Sequence, residues 1–269
     1  MVVVSVVVGC GTTQPPESAP SPDLSTSVGF EMVEFHGTKL APRTPIRVVN
    51  QWGNIEIRTA EHPGSYRVQA AVQRIGRTPP QPPVFRQRSV EGVAELVVEF
   101  PGARIAPDRT GRVDLALFVP PGHPLSVETR DGLVKAKKTA NPLHVRTADG
   151  PVQIINDGPI RVRSDTGRVQ VRPMYRDWDT VDVRSERGVV VAFLPTAAAF
   201  ELEISGTSNV YSAFPLVARA GGLAALHLRD GAASNRVRLV SAAGIEVHEA
   251  HLAQAVAASE TTAEQRPNP

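Results

Sequence analysis

One short pattern is written four times between Leu125 and Ala192: apolar, x, Val, x, Thr or Ser, two turn residues, Gly, x, Val. The copies are Leu125-Ser-Val127-Glu-Thr129-Arg-Asp131-Gly132, Leu143-His-Val145-Arg-Thr147-Ala-Asp149-Gly150, Ile160-Arg-Val162-Arg-Ser164-Asp-Thr166-Gly167 and Val181-Asp-Val183-Arg-Ser185-Glu-Arg187-Gly188. Successive glycines are 18, 17 and 21 residues apart, a regular period bounded by turn residues, as in stacked repeat architectures. Inside each copy the period is two. The residues seven and five before the glycine share one face of a strand, and the residues between them face water.

After each glycine the alternation resumes. Val134 and Ala136, Val152 and Ile154, Val169 and Val171, and Val190 and Ala192 form a second inward-facing strand. No single coil can bury such a face alone, so coils must stack, about 4.8 Å apart, around a shared apolar core. The fold expected is all-β, a single-stranded β-helix or β-solenoid. Its corners fall at Gly53, Gly132, Gly150, Gly167, Gly188 and Gly244, where φ > 0 is expected of glycine. Thr or Ser three residues earlier is placed to hydrogen-bond free backbone groups at the corner and to stack on its counterpart in the next coil.

Degenerate copies flank the run. Ile46-Arg-Val48-Val-Asn50-Gln-Trp52-Gly53-Asn-Ile55-Glu-Ile57 carries the whole pattern, and Val237-Arg-Leu239-Val-Ser241-Ala-Ala-Gly244 its first half. Leu202-Glu-Ile204-Ser-Gly206-Thr-Ser-Asn209-Val-Tyr211 fits if Asn209 takes the left-handed corner. Strand-like segments at 30–35, 46–58, 66–75, 84–100 and 112–119 are less regular. They are expected to cap or extend the solenoid, because an open first coil invites edge-to-edge pairing.

The first residues form a short apolar run ending in Val7-Val8-Gly9-Cys10, and Cys10 is the only cysteine of the chain. This resembles a bacterial lipobox, in which the chain is cut before a cysteine that then carries lipid. A basic n-region is missing, so a start upstream of Met1 is expected; an apolar strand with an incidental cysteine is the other reading. Residues 11–28 are rich in Pro and Ser, as befits a tether. The organisation expected is therefore signal 1–10, tether 11–28, irregular β region 29–120, solenoid 121–248, and a short helix with a disordered tail over 249–269. Gly11 resembles lipoproteins sorted to the outer membrane, on either its periplasmic or its surface side.

A net charge of +2 argues against nucleic acid as a partner, and no stretch approaches the roughly 20 apolar residues of a spanning helix. Catalytic motifs are scarce. His248-Glu249-Ala250-His251 spaces its histidines three apart, whereas the zinc protease motif spaces them four apart. Corner carboxylates at Asp131, Asp149 and Asp165 could approach one another in a stack, yet calcium needs about six to eight oxygens. No metal and no cofactor is expected.

The most suggestive set is Arg146, Arg163 and Arg184, each four residues before its glycine and so outward-facing on consecutive coils, with Arg161 and His144 on the same face. Such a strip suits phosphate or carboxylate groups of a polysaccharide. Its bland counterpart is a solvated face, with Glu128 and Asp182 nearby to balance charge.

From about Phe30 to Val247 the chain resembles the bacterial putative-adhesin family, domains of unknown function with β-strand repeats related to head-GIN-domain proteins. The resemblance rests on Gly53-Asn-Ile55-Glu-Ile57, on Val113-Asp-Leu115-Ala-Leu117-Phe-Val119-Pro120, and on the repeated Gly-x-Val-x units. It implies a β-helix-like fold in the cell envelope, and "adhesin" there is a label by analogy. The function expected is a non-catalytic, lipid-anchored scaffold that binds a polyanion or a protein. The alternatives are a carbohydrate-active β-helix enzyme and a periplasmic structural or sensory accessory protein.

Overall fold

The computed structural model describes residues 3–5, 27–36, 40–61, 66–76, 81–101, 110–174, 178–228 and 235–250. All regular structure among them is β, and none is helical. The chain divides into two compact units, residues 1–135 and 136–269.

In the first unit, β3 (Ile46–Asn50) and β4 (Ile55–Thr59) form one coil around Trp52-Gly53. Its inward residues Ile46, Val48, Ile55 and Ile57 are buried, each contributing about 1.5–3 kcal/mol. β3 runs parallel both to β7 (Val93–Glu99) and to β9 (Leu125–Thr129), while β4 runs parallel to β8 (Thr110–Val119). The earliest coil in sequence thus lies inside the stack, between β7/β8 and β9.

Antiparallel strands cover the outermost coil. β6 (Val84–Val90) lies on β7, and β5 (Arg67–Gly76) lies on β8. β2 (Ser27–His36) continues the sheet on β5, followed by β1 (Val3–Ser5). The stretch read as one strand over 84–100 is a hairpin: Glu91 (φ 50°) and Gly92 (φ 79°) both turn left-handed, as a two-residue type I′ connection requires.

In the second unit the chain alternates between two parallel sheets. One holds β11 (Leu143–Thr147), β13 (Ile160–Ser164) and β15 (Thr180–Ser185). The other holds β12 (Val152–Asn156), β14 (Val169–Pro173) and β16 (Val190–Pro195), with β10 (Val134–Thr139) beside β12. Every residue assigned inward from the repeats after Val134 is buried, from Ala136 to Ala192. This is the expected solenoid.

The order then changes. β17 (Phe200–Ser205) and β18 (Val210–Ser212) form the last coil in space, but β21 (Asn235–Ser241) and β22 (Ile245–Ala250) return to lie between them and β15/β16. β20 (Gly222–His227) covers β17 antiparallel, with β19 (Val217–Arg219) outside it. Trp178, Phe200 and Phe214 are buried at this end, with the His227 ring stacked 5.0 Å from Phe200.

The corner glycines answer to two constraints, which coincide at Gly53 and Gly132, where a Cβ would also sit 2.1 Å from the carbonyl oxygens of Val113 and Gly53. Gly53 (φ 123°) and Gly132 (φ 130°) do turn left-handed. Gly150, Gly167, Gly188 and Gly244 do not, contrary to expectation. At Gly167 and Gly188 glycine is required because an added Cβ would sit 2.0 Å from the Gly150 carbonyl oxygen and 2.1 Å from that of Gly167. In the β17–β18 turn the left-handed residue is Gly206 (φ 94°), not Asn209.

Beside the glycines runs the expected hydroxyl ladder, Thr147, Ser164, Ser185 and Ser241, in register and buried. Gly150 N donates to Thr147 Oγ1 at 3.1 Å, and Gly188 N to Ser185 Oγ at 2.9 Å. Ser241 Oγ donates to Gly188 O at 2.9 Å. β22 includes Glu249 and Ala250, where a helix was expected to begin, Ser27 and Val28 at the end of the expected tether belong to β2, and Val3–Ser5 of the expected signal form β1; residues 251–269, tether residues 11–26 and Cys10 lie outside the described residues.

Candidate functional site, an arginine-rich sheet face

Alternation in β11, β13, β15, β21 and β17 turns their apolar residues inward and leaves every second side chain on one outer face. Parallel register then stacks like positions. Arg146, Arg163 and Arg184 are successive partners, a row of three cations at the coil spacing. The neighbouring row runs His144, Arg161, Asp182, Arg238 and Glu203, so it alternates in sign beyond the first pair. A third short row holds Thr180, Arg236 and Glu201.

Asp182 organises the centre. Its carboxylate accepts two hydrogen bonds from Arg163, at 2.7 and 3.2 Å, and lies 3.6 Å from Arg161 Nε. The forked geometry fixes the guanidinium plane, so Arg163 is already committed. Arg146 and Arg184, exposed to solvent, have no ion pair among the described residues. Glu201 lies 3.5 Å from Arg219 on β19. A depression of about 320 Å³ opens between Arg161, Thr180, Asp182, Glu203 and Arg238.

His144 registers the field of this face. Partial burial first, and then Arg161, Arg163 and Arg146, hold its imidazole below the ordinary histidine range, while Asp182 opposes them. The arginines prevail, and the face remains net basic around this ring.

The structure thus brings Arg146, Arg161, Arg163 and Arg184 onto one face. Arg236 and Arg238 join them, which sequence reasoning overlooked. The signal was present, since Arg238 holds the same place between two apolar residues as Arg161 does, but β21 enters the stack out of sequence order. Among the other candidates, Asp149 accepts from Thr166 Oγ1 at 2.9 Å. Among the described residues no three His, Cys, Asp or Glu side chains converge as a metal site. His248 lies 3.4 Å from Glu246, and His251 lies outside the described residues.

No family model matches this chain, and no curated protein matches it either. Among solved structures it is similar to a putative cell adhesion protein from Clostridium sporogenes, with 10% identity and a TM-score of 0.48, covering 84% of this chain and all of the other.

Proposed function

We propose that this protein is a non-catalytic cell-envelope scaffold, anchored by lipid at Cys10, whose arginine face binds an anionic polysaccharide. The carrying observation is the in-register row Arg146, Arg163 and Arg184, which repeats a guanidinium at each coil, about every 4.8 Å. A polymer of charged sugars is the partner whose own periodicity can follow such a row. Arg146 and Arg184 supply the uncommitted donors, and Arg163 keeps the row straight through Asp182. The lipobox-like Val7-Val8-Gly9-Cys10 and the Pro/Ser-rich stretch after it support the anchor, and the Gly-x-Val-x units support membership of the putative-adhesin family.

The test is binding to immobilised polygalacturonate and dextran sulfate, with Arg146→Ser/Arg184→Ser as the variant. Neither side chain is engaged in an ion pair among the described residues, so the fold should survive. Affinity is expected to fall about tenfold or more, with a shallower salt dependence. Unchanged affinity would sink the proposal. Protease treatment of intact and permeabilised cells would assign the side of the membrane.

A further inference from the structure

The outer face of the other sheet in the second unit carries a different chemistry. Phe193 on β16 and His248 on β22 are register partners, their rings stacked with centroids 5.1 Å apart. Tyr211 on β18 lies on the other side of the imidazole at 5.2 Å and keeps 57% of its surface exposed. Glu246, the register partner of Tyr211, places its carboxylate 3.4 Å from His248 Nε2. Beside these groups lies a depression of about 360 Å³ lined by Asn209, Tyr211, Gly244, Glu246 and His248.

Gly244 lies in the lining of the depression. Coil packing explains Gly53, Gly132, Gly167 and Gly188, where a Cβ would strike a neighbouring carbonyl, and the first two also need a left-handed φ. Neither applies to Gly244. Its φ is not left-handed, and a Cβ there would meet Asn209, with the carboxamide Nδ2 at 3.2 Å and the backbone carbonyl oxygen at 3.6 Å, the latter an ordinary contact rather than a clash. A side chain at 244 would therefore take up space in the cradle, while the stacking of coils would not demand glycine.

We propose that this depression binds a neutral glycan, seating one pyranose ring against Tyr211. The apolar C–H face of a sugar suits an exposed aromatic ring, and its hydroxyl rim suits a carboxylate acceptor and a carboxamide that both donates and accepts. An anionic sugar would meet Glu246, and no arginine or lysine among the described residues lines the depression to offset it. A wholly apolar ligand would strip water from Glu246 and Asn209 without replacing it. Among the described lining residues Glu246 is the one carboxylate, and glycoside hydrolysis uses a pair, so the proposal is one of binding without cleavage.

The experiment is calorimetry and ligand-observed NMR on the full chain with two probes, cellohexaose and the hexamer of N-acetylglucosamine. At least one is expected to bind, with Tyr211→Ala weakening it about tenfold. Gly244→Ala should weaken it as well while leaving the melting temperature near that of the parent. Arg146→Ser/Arg184→Ser should leave it unchanged, which separates this site from the arginine face. Failure of both hexamers to bind at millimolar concentration would overturn the proposal. So would an affinity unmoved by Tyr211→Ala or by Gly244→Ala, or a Gly244→Ala melting temperature lowered as far as that of Gly167→Ala.

Discussion

Ser241 hands a hydrogen bond to the carbonyl of Gly188 at 2.9 Å, although 53 residues separate them in sequence. Its oxygen also accepts from the backbone N–H groups of Ala243 and Gly244. One hydroxyl thus joins the last strand pair to the coil before it and closes its own corner. Ser241→Ala leaves buried backbone groups unpaired and is expected to cost about 1–3 kcal/mol in chemical denaturation. Ser241→Thr keeps the donor and should recover part of the loss.

Close approach and left-handed φ, each acting alone at a glycine, predict two outcomes. Gly167→Ala and Gly188→Ala force a Cβ into a neighbouring backbone carbonyl, which backbone cannot yield cheaply. Each should cost about 3 kcal/mol or more, measured by thermal and urea unfolding. Gly221→Ala meets no atom within 4 Å but must hold φ 88°. It is expected to cost only about 1 kcal/mol.

Asp182 restrains the cations around it. Asp182→Asn should release Arg161 and Arg163 and raise affinity for an anionic polymer severalfold at low salt, with a steeper salt dependence. Both arginine side chains are more than a third exposed, so the stability lost with these pairs should stay within about 1 kcal/mol. An affinity that falls instead would mean that the forked pair itself shapes the binding surface.

The lowered His144 pKa has a definite sign. The unfolded chain takes up a proton near the ordinary value of 6.5, while the folded chain resists it. The His144 contribution is therefore fully present above 6.5 and is lost as pH falls through the lower folded value. His144→Gln should flatten the stability profile in that window. A bound polyanion offsets the arginine field and favours protonation, so affinity should increase as pH falls through the same range.

Acid should also loosen the first unit. Glu95 is buried on the outer side of β7 between Arg88 and Arg47, and these pairs hold its carboxyl below the ordinary value of 4.5. Its contribution is present above 4.5 and lost as pH falls through the depressed value. Amide exchange in β3, β6 and β7 should accelerate there, and Glu95→Gln should remove the pH dependence of that acceleration.

The repeat region was legible because a two-residue period and a fixed corner spacing leave little freedom: Val162, Val171 and Val183 face inward as the alternation demands. The arginine row followed from the same counting. The causes of the glycines were less legible, since a residue needed for φ > 0 and one needed for close approach look alike as letters. Spatial order was hidden as well. The Val237 copy matches the pattern, but nothing in a local pattern says that it enters between two earlier coils. The aromatic patch escaped for that reason, because Phe193, Tyr211 and His248 come from three strands that only this insertion brings together.

That insertion also governs when the protein can finish folding. As the chain is synthesised, the coil of β17 and β18 emerges before the strands that belong between it and β15/β16. Until Asn235 to Ala250 have been made, two parallel edges stand open toward each other, with no strand to satisfy them. The stack is sealed from the inside by its last segment. A chain terminated before Asn235 therefore lacks the strands that seal those edges, and completion of this stack reports that synthesis has passed Ala250.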